Sequence, residues 1–420
     1  MNHIVAWLLA IGVLSPACAD TVLIRNATVH TMATAGTLEG ADILISDGHI
    51  SAIGRGLHAP AQAQVIEAQG HPVTPGLFGG LTHLGLEEIG LEPAADDYEL
   101  KLGAMRPEFD VSLAFDPAST AIAVGRGGGI TFAAVSPSTE AGADSPEHGT
   151  IIAGQGSIVA LDGGPSTYSR ALFLDFGGDT NGLAGGSRAA QFMLLKQAFT
   201  EVRSPKLHLP DDQRLLTPAG RQVLSEFIGG AGIFVFDVDR ASDILQLLSF
   251  AQKEKLRIAI SGGAEAWRVA GQLAAAKVPV IIDALEDLPG SFDAVGATLE
   301  NAARLNRAGV RVAFTLADAQ PHNIRKLRQT AGVAVAHGLP WDVGLAGLTS
   351  VPAEIFGVAD RFGTIERGRL ADLVLWSGDP LDVTSLPDRV FIAGKLQPDR
   401  SRQTELRDRY LERVRNGMAR

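Results

Sequence analysis

The hydrophobic pattern changes character along the chain. From Thr21 to Ile53 apolar residues come in short alternating runs, TVLIRNATVH and ADILISDGHISAIG, and Asp47-Gly48 between two of them is a hairpin-turn signal. This stretch predicts a small β unit. The long middle of the chain pairs short β-rich runs with helical ones, at the spacing that strand-helix repeats require. GIFVFDV (Gly232 to Val238) precedes RASDILQLLSFAQKEK, LRIAI (Leu256 to Ile260) precedes AEAWRVAGQLAAA, and VPVII (Val278 to Ile282) precedes a helix ending at Gly309. VRVAF (Val310 to Phe314) follows at once. These runs are apolar throughout, as expected of parallel strands covered on both faces. After Phe362 the β character returns, and Ser401 to Arg420 reads as a charged helix with Leu406, Tyr410 and Val414 on one stripe. No repeat of fixed period and no low-complexity segment interrupts this order.

At the amino end an apolar run from Ile4 to Leu14 is followed by Pro16 and the small residues Ala17-Cys18-Ala19. About 11 apolar residues are too few to span a bilayer, so a cleavable export signal is expected, with cleavage after Ala19 and a periplasmic or secreted mature chain. No Lys or Arg precedes the run, which leaves the α-amino group as its positive end. Cys18 as a lipid-attachment site is disfavoured by Leu14, four residues upstream where three is usual, and by the intervening Pro16. Cys18 is the one cysteine of the sequence. Its removal excludes disulfides, thiolate metal ligands and a cysteine nucleophile from the mature protein.

Composition narrows the picture further. The 420 residues suffice for a large barrel-type domain with a smaller one attached, and 46% hydrophobic against 20% charged is a globular balance. With a net charge of -11 and no basic cluster, nucleic acid is not an expected partner; a small-molecule substrate or ligand is. The 48 glycines imply many tight loops. The runs Gly125 to Gly129 and Gly185-Gly186 lack the Lys-Ser/Thr of a phosphate loop, and no GxSxG elbow is present.

Two segments carry a family likeness. Pro72 to Gly90 reads PVTPGLFGGLTHLGLEEIG and Phe362 to Pro380 reads FGTIERGRLADLVLWSGDP. Together they resemble the amidohydrolase superfamily, most closely its imidazolonepropionase-like members. The resemblance implies an α/β fold: a (β/α)8 TIM-type barrel with a small β-sandwich built from the N- and C-terminal segments. The implied division is a leader over 1–19, sandwich over 20–74, barrel over 75–362, sandwich again over 363–397 and a closing helix over 398–420. It further implies one or two divalent metals at the C-terminal mouth of the barrel, where a bound water is acidified. The family's ligands are the two His of an HxH motif, a Lys or Glu from a middle strand, one His after each of two later strands and an Asp after the last.

Carried over by position, most of these are substituted. The Asp before HxH is Gly79, the first His is Leu81, and the second survives as His83. The fifth-strand His falls on Asp237, the sixth-strand His on Gly262, and the last Asp on Ala317 or, shifted by one residue, on Asp318. A reduced site remains, in which His83 and Asp237, with Asp318 and nearby Asp239, hold one weakly bound zinc or manganese ion, or none. The competing reading makes Asp237 and Asp239 caps of the helix near Ala241, and His83 a hydrogen-bonded core histidine. Glu87, Asp239 and His322 are candidate substrate contacts; Glu88, Glu265 and Asn323 are weaker ones. Two functions follow. One is an exported hydrolase of non-peptide or cyclic amide C–N bonds, with Asp318 as general base and Asp237 beside it. The other is a catalytically inactive binding or scaffold protein on the same fold.

Overall fold

The computed structural model describes residues 21–418 except 91, 101, 103–104, 140–149, 166, 179, 205–209, 211–212 and 399. The leader expected over Met1–Ala19 lies outside the described residues. Five strands open the chain: β1 (Val22–His30), β2 (Thr37–Ser46), β3 (His49–Gly54), β4 (Gln64–Glu67) and β5 (Pro72–Pro75). Eight form the middle: β6 (Leu77–Thr82), β7 (Ile130–Val135), β8 (Ile152–Ala160), β9 (Ala171–Asp175), β10 (Ile233–Val238), β11 (Ile258–Gly262), β12 (Val280–Ile282) and β13 (Val312–Phe314). Three follow: β14 (Leu373–Trp376), β15 (Pro387–Ile392) and β16 (Lys395–Leu396).

The outer groups join into one sheet in the order β16-β15-β14-β5-β1-β2-β3, with β4 also on β1. Its seam is β5 against β14, antiparallel, with Val73 opposite Leu375 and Pro75 opposite Leu373. Asp47 and Gly48 both take positive φ, 52° and 78°, which makes the β2–β3 turn the tight hairpin that their sequence signals. Neither end of the chain could bury its strands alone; together they enclose a core that includes Ile24, Ile43, Val73, Leu373 and Phe391.

Asp372, at the start of β14, sits in this sheet at 5% exposure. Its Oδ1 accepts from the Ala393 amide at 2.6 Å, while its Oδ2 has no partner. Burial pushes its carboxyl up to about 7. Because the native state then holds a proton that the unfolded chain releases above its ordinary pKa of 3.8, stability should fall as pH rises from about 4 through 7. Asp372→Asn keeps the acceptor and removes the charge. Denaturant midpoints at pH 5 and pH 8 should show the parent losing roughly 2 to 4 kcal/mol more than the variant over this interval. Equal losses would show that Asp372 is not a buried acid.

The middle strands form the barrel, β6 through β13 in chain order around the sheet. Side chains alternate between two cores, as strand geometry demands. In β10, Ile233 and Val235 point into the barrel while Phe234, Phe236 and Val238 pack under the helices. Thr315, just past β13, closes the ring by accepting the Leu81 amide of β6 on its Oγ1 at 3.0 Å.

One departure from a regular (β/α)8 barrel stands out: β8 runs antiparallel to both β7 and β9. The connection from β8 to β9 carries no helix, and a parallel return needs a crossover that so short a link cannot supply. The glycine run before β7 serves close packing. At Gly129, with φ 84°, a Cβ would lie 2.7 Å from the Trp376 ring. Trp376 in turn donates its indole N–H to Thr74 at 2.9 Å. On the closing helix, Tyr410 and Val414 remain exposed.

A carboxylate-lined cavity at the barrel mouth

The alternation that builds the barrel interior also sets its mouth. Continuing the inward series Ile233, Val235 puts Asp237 on the inner face of β10, and Ala171, Phe173 likewise puts Asp175 on the inner face of β9. The two strands are parallel and in register, with Asp175 opposite Asp237. Neighbouring strands lie about 4.8 Å apart, so the two carboxylates are held side by side. They border a cavity of about 510 Å³ that Leu81, His83, Gly262, Asp318 and the loop after β12 also line. This is the C-terminal end of the parallel strands, where barrel enzymes place their chemistry.

Each carboxylate has its own anchor. Thr139 gives Asp175 both its backbone N–H, at 3.1 Å, and its hydroxyl. Ser261 at the end of β11 donates to Asp237 Oδ2 at 2.8 Å. Asp237 lies deep in the barrel although its carboxylate opens on the cavity. That depth, then the charge of Asp175, pushes its pKa up to about 6 against the opposing Ser261 bond. Burial also raises Asp175, and the Thr139 bonds oppose it. The pair therefore exchanges a proton near neutral pH, which two solvated aspartates would not do.

His83 follows β6 and is stacked on Tyr98, rings 3.6 Å apart and 5° from parallel. Burial lowers its pKa to about 4, so the ring is neutral at pH 7. Its Nδ1 stands 3.7 Å from Glu87 Oε2, and neither atom has a hydrogen-bond partner. The hydrogen-bonded core histidine is thereby corrected: His83 lines the cavity with Nδ1 unsatisfied.

Other expectations are corrected too. Glu87 does not face the mouth; the turn after β6 folds it inward to 3% exposure against His83. Its carboxyl is raised by burial and Asp96, with His322 opposing. His322 sits exposed on the 3-10 turn Pro321–Lys326, outside the cavity lining, with Asn323 beside it. Glu88 is also exposed and outside the lining. Asp237 and Asp239 do not cap the helix Ala241–Glu254, whose first amide goes to Glu265 Oε2 at 3.2 Å. Asp239 instead lines the cavity and accepts the Ala264 amide at 3.1 Å. Asp318 reaches the cavity, but its oxygens accept from the Gln320 amide at 3.2 Å and from Asn323 Nδ2 at 2.6 Å.

Sequence reasoning missed Asp175, Asp283, Glu286 and Asp293, all of which border the cavity. Asp175 was findable: ALFLD has the inward and outward alternation of IFVFD. Asp283 Oδ2 accepts the Ala317 amide at 3.1 Å, tying β12 to the segment after β13. Glu286 is pushed up to about 7 by burial, then by Asp239 and Asp283.

The family's metal centre can be tested against these donors. Leu81 and Gly262 line the cavity and bring no donor side chain to it, while Ala317 and Asp318, the two alternatives for the last-strand ligand, both line it as well. A side chain at Gly262 is opposed twice, by φ 76° and by Asp239 Oδ1, 2.6 Å from where its Cβ would stand. Among the described residues no group of three or more His, Cys, Asp or Glu is placed to hold an ion. The donor set of the described residues does not fit a hydroxide-bridged pair of metals. Elemental analysis of the purified chain should find less than about one equivalent of zinc or manganese, since among the described residues no three donors stand together to complete even one open site. Two tightly held equivalents would overturn this placement.

Comparison with known proteins agrees with the architecture. Residues 250–400 match the amidohydrolase family. The crystal structure of an amidohydrolase from Thermotoga maritima superposes with a TM-score of 0.78 at 26% identity, over 90% of this chain and 100% of that one. The structure of molinate hydrolase, at 15% identity and TM-score 0.56 over 91% of this chain and 95% of that one, shares the fold. Among curated proteins, an amidohydrolase of Hapsidospora irregularis is 43% identical over 63 residues, 15% of this chain and 6% of that protein. A dihydroorotase of Geotalea daltonii is 47% identical over 58 residues, 14% of this chain and 13% of that enzyme. The chain thus spans only a small part of these curated relatives. The narrower likeness to imidazolonepropionase-like members rests on the sequence motifs alone. Barrel, shared sheet and family match converge on a likeness to the amidohydrolase superfamily.

Proposed function

We propose that this protein hydrolyses a C–N bond, in an acyclic or cyclic amide, of a small molecule held in the barrel-mouth cavity, and that the leader directs it to work outside the cytoplasm. The observation that carries the reading is the in-register pair Asp175 and Asp237, with Asp237 titrating at about 6. A general base is most effective when its pKa lies near the working pH. As a carboxylate, Asp237 takes a proton from the water that attacks the carbonyl carbon. The C–N bond then breaks as the departing nitrogen receives that proton, leaving a carboxylic acid and an amine. Asp175, pinned by Thr139, keeps the proton affinity of Asp237 high. Neutral His83 borders the same cavity.

The base role suits Asp237 better than Asp318, because Asp318 already accepts two bonds within its own turn. We assign Asp318 to shaping the mouth. The reading is tested by incubating the purified chain with a panel of linear and cyclic amides and detecting the released amine or carboxylate. Product that forms with the parent and not with Asp237→Asn supports it. The lack of donor side chains at Leu81 and Gly262 favours a second reading, a binding protein without turnover. Ligand binding with no product across the panel would select that one.

A further inference from the structure

Ser261 ends β11 on the inner face of the barrel, where Ala259 of the same strand also points. It stands opposite Asp237 in the parallel ladder, as Asp175 does on the other side, so one row across three strands reads Asp175, Asp237, Ser261. Ser261 borders the cavity, and its hydroxyl donates to Asp237 Oδ2 at 2.8 Å. The residue is buried, so little bulk water competes for that bond. Gly262 and Gly263 come directly after it, both with positive φ, 76° and 67°, so the chain turns away and no side chain follows the serine for two residues. Thr139 makes a matching bond to Asp175, but it gives that same oxygen its backbone N–H as well, which makes it an anchor for the loop after β7. Ser261 meets Asp237 through the hydroxyl.

We infer that Ser261 is the nucleophile of this site, and that hydrolysis passes through an acyl ester on its oxygen. The inference rests on the hydrolytic reading for the reaction and adds which oxygen attacks first. A general base takes a proton within hydrogen-bond reach, and the Ser261 hydroxyl is already there, whereas a water must first be bound and aimed. A serine hydroxyl is a weak nucleophile alone and becomes an effective one beside such a base. In the first half, Ser261 Oγ bonds to the carbonyl carbon as its proton passes to Asp237. The C–N bond breaks as the nitrogen takes up that proton, which leaves a serine ester and a free amine. In the second half, the water that Asp237 serves attacks the ester carbonyl. Its proton passes through Asp237 to the departing Ser261 oxygen, and the carboxylic acid is released.

An activated ester, p-nitrophenyl acetate, tests the first half, because its leaving group departs faster than an amine and the serine ester should accumulate. Acid-quenched samples of the purified chain should gain one acetyl group, mapped by peptide mass spectrometry to Ser261 and absent from Ser261→Ala. Hydroxylamine, added as a competing acceptor, tests the second half. The best amide of the panel and the p-nitrophenyl ester of the same acyl group should give one and the same ratio of hydroxamate to acid, since both pass through one acyl-enzyme. Ser261→Ala should lower kcat on that amide about a thousandfold or more, with the thermal midpoint as the folding control. A serine that merely steadied Asp237 would carry no acetyl group, and the ratios would differ with the leaving group. Either result, or a loss of kcat below about tenfold in Ser261→Ala, would overturn the inference. Turnover separates it from the reading beneath it. Amide cleavage with ratios that depend on the leaving group keeps the hydrolase and returns the attack to water. Acetylation of Ser261 by the ester, with no amide of the panel cleaved, defeats the amide reading and keeps the nucleophile.

Discussion

Replacing Asp237 by asparagine lowers kcat roughly 100- to 10,000-fold, the range that loss of a general base produces, with a much smaller change in ligand affinity. In the parent, kcat should rise with pH through about 6, because in the proposed role the carboxylate is the active form and the carboxylic acid below that pH cannot accept a proton. The variant loses that limb. Asp175→Asn is the finer test. Removing the neighbouring charge takes away one of the two leading causes of the raised pKa, so the limb should move to lower pH while activity remains. Neither change should harm folding: Asp237 is a repelled carboxylate, and amide substitution removes repulsion instead of a partner. The measurement is kcat and KM from pH 4.5 to 8 on the best amide of the panel, with thermal midpoints as the folding control. An unchanged kcat in Asp237→Asn, or a limb indifferent to Asp175→Asn, sinks the assignment of the proton to this pair.

Much of this site is visible in the sequence, for a physical reason. A buried parallel strand writes itself as an unbroken apolar run, and the first polar residue after it marks the mouth of the barrel. Asp237 and Asp239 fit this rule after GIFVFDV, whereas Leu81 and Gly262 stand out as positions without ligands only through the family resemblance. The same rule applied to ALFLD yields Asp175. The rule failed where a strand's end is followed by a turn that reverses direction: Glu87 lies four residues past His83 and is folded under it, and His322 is carried outward by a 3-10 turn. The antiparallel β8 was illegible because a strand buried on both faces reads the same in either direction. Glu286 and Asp293 lie in a long loop with no periodicity, and only the fold brings them to the cavity.

Arg188 anchors that loop alongside the bonds of Gly296 to Glu265 and Trp267, and its removal should have the largest effect on stability. Arg188, at the start of the helix Arg188–Arg203, donates from Nε to Asp243 Oδ2 at 3.0 Å and from its other end to Asp293 Oδ1. Asp293 Oδ2 in turn accepts the Gly178 amide at 2.6 Å, which fixes residues 284–297 over the cavity. Asp243 and Asp293 are each only 7% exposed. Burial raises the Asp243 carboxyl even with Arg188 beside it. Arg188→Met keeps much of the aliphatic stem and leaves two mutually repelling, largely buried carboxylates without their shared counter-ion. Breaking a buried pair from one side costs about 3 kcal/mol, against a median below about 1 kcal/mol for surface pairs. Because stranded carboxylates escape the penalty by taking up protons, the loss should be smaller at pH 5 than at pH 8. Denaturant midpoints of parent and variant at both pH values measure this. A loss under about 1 kcal/mol at pH 8, or one independent of pH, would mean that Arg188 decorates the surface and that other contacts hold the mouth in place.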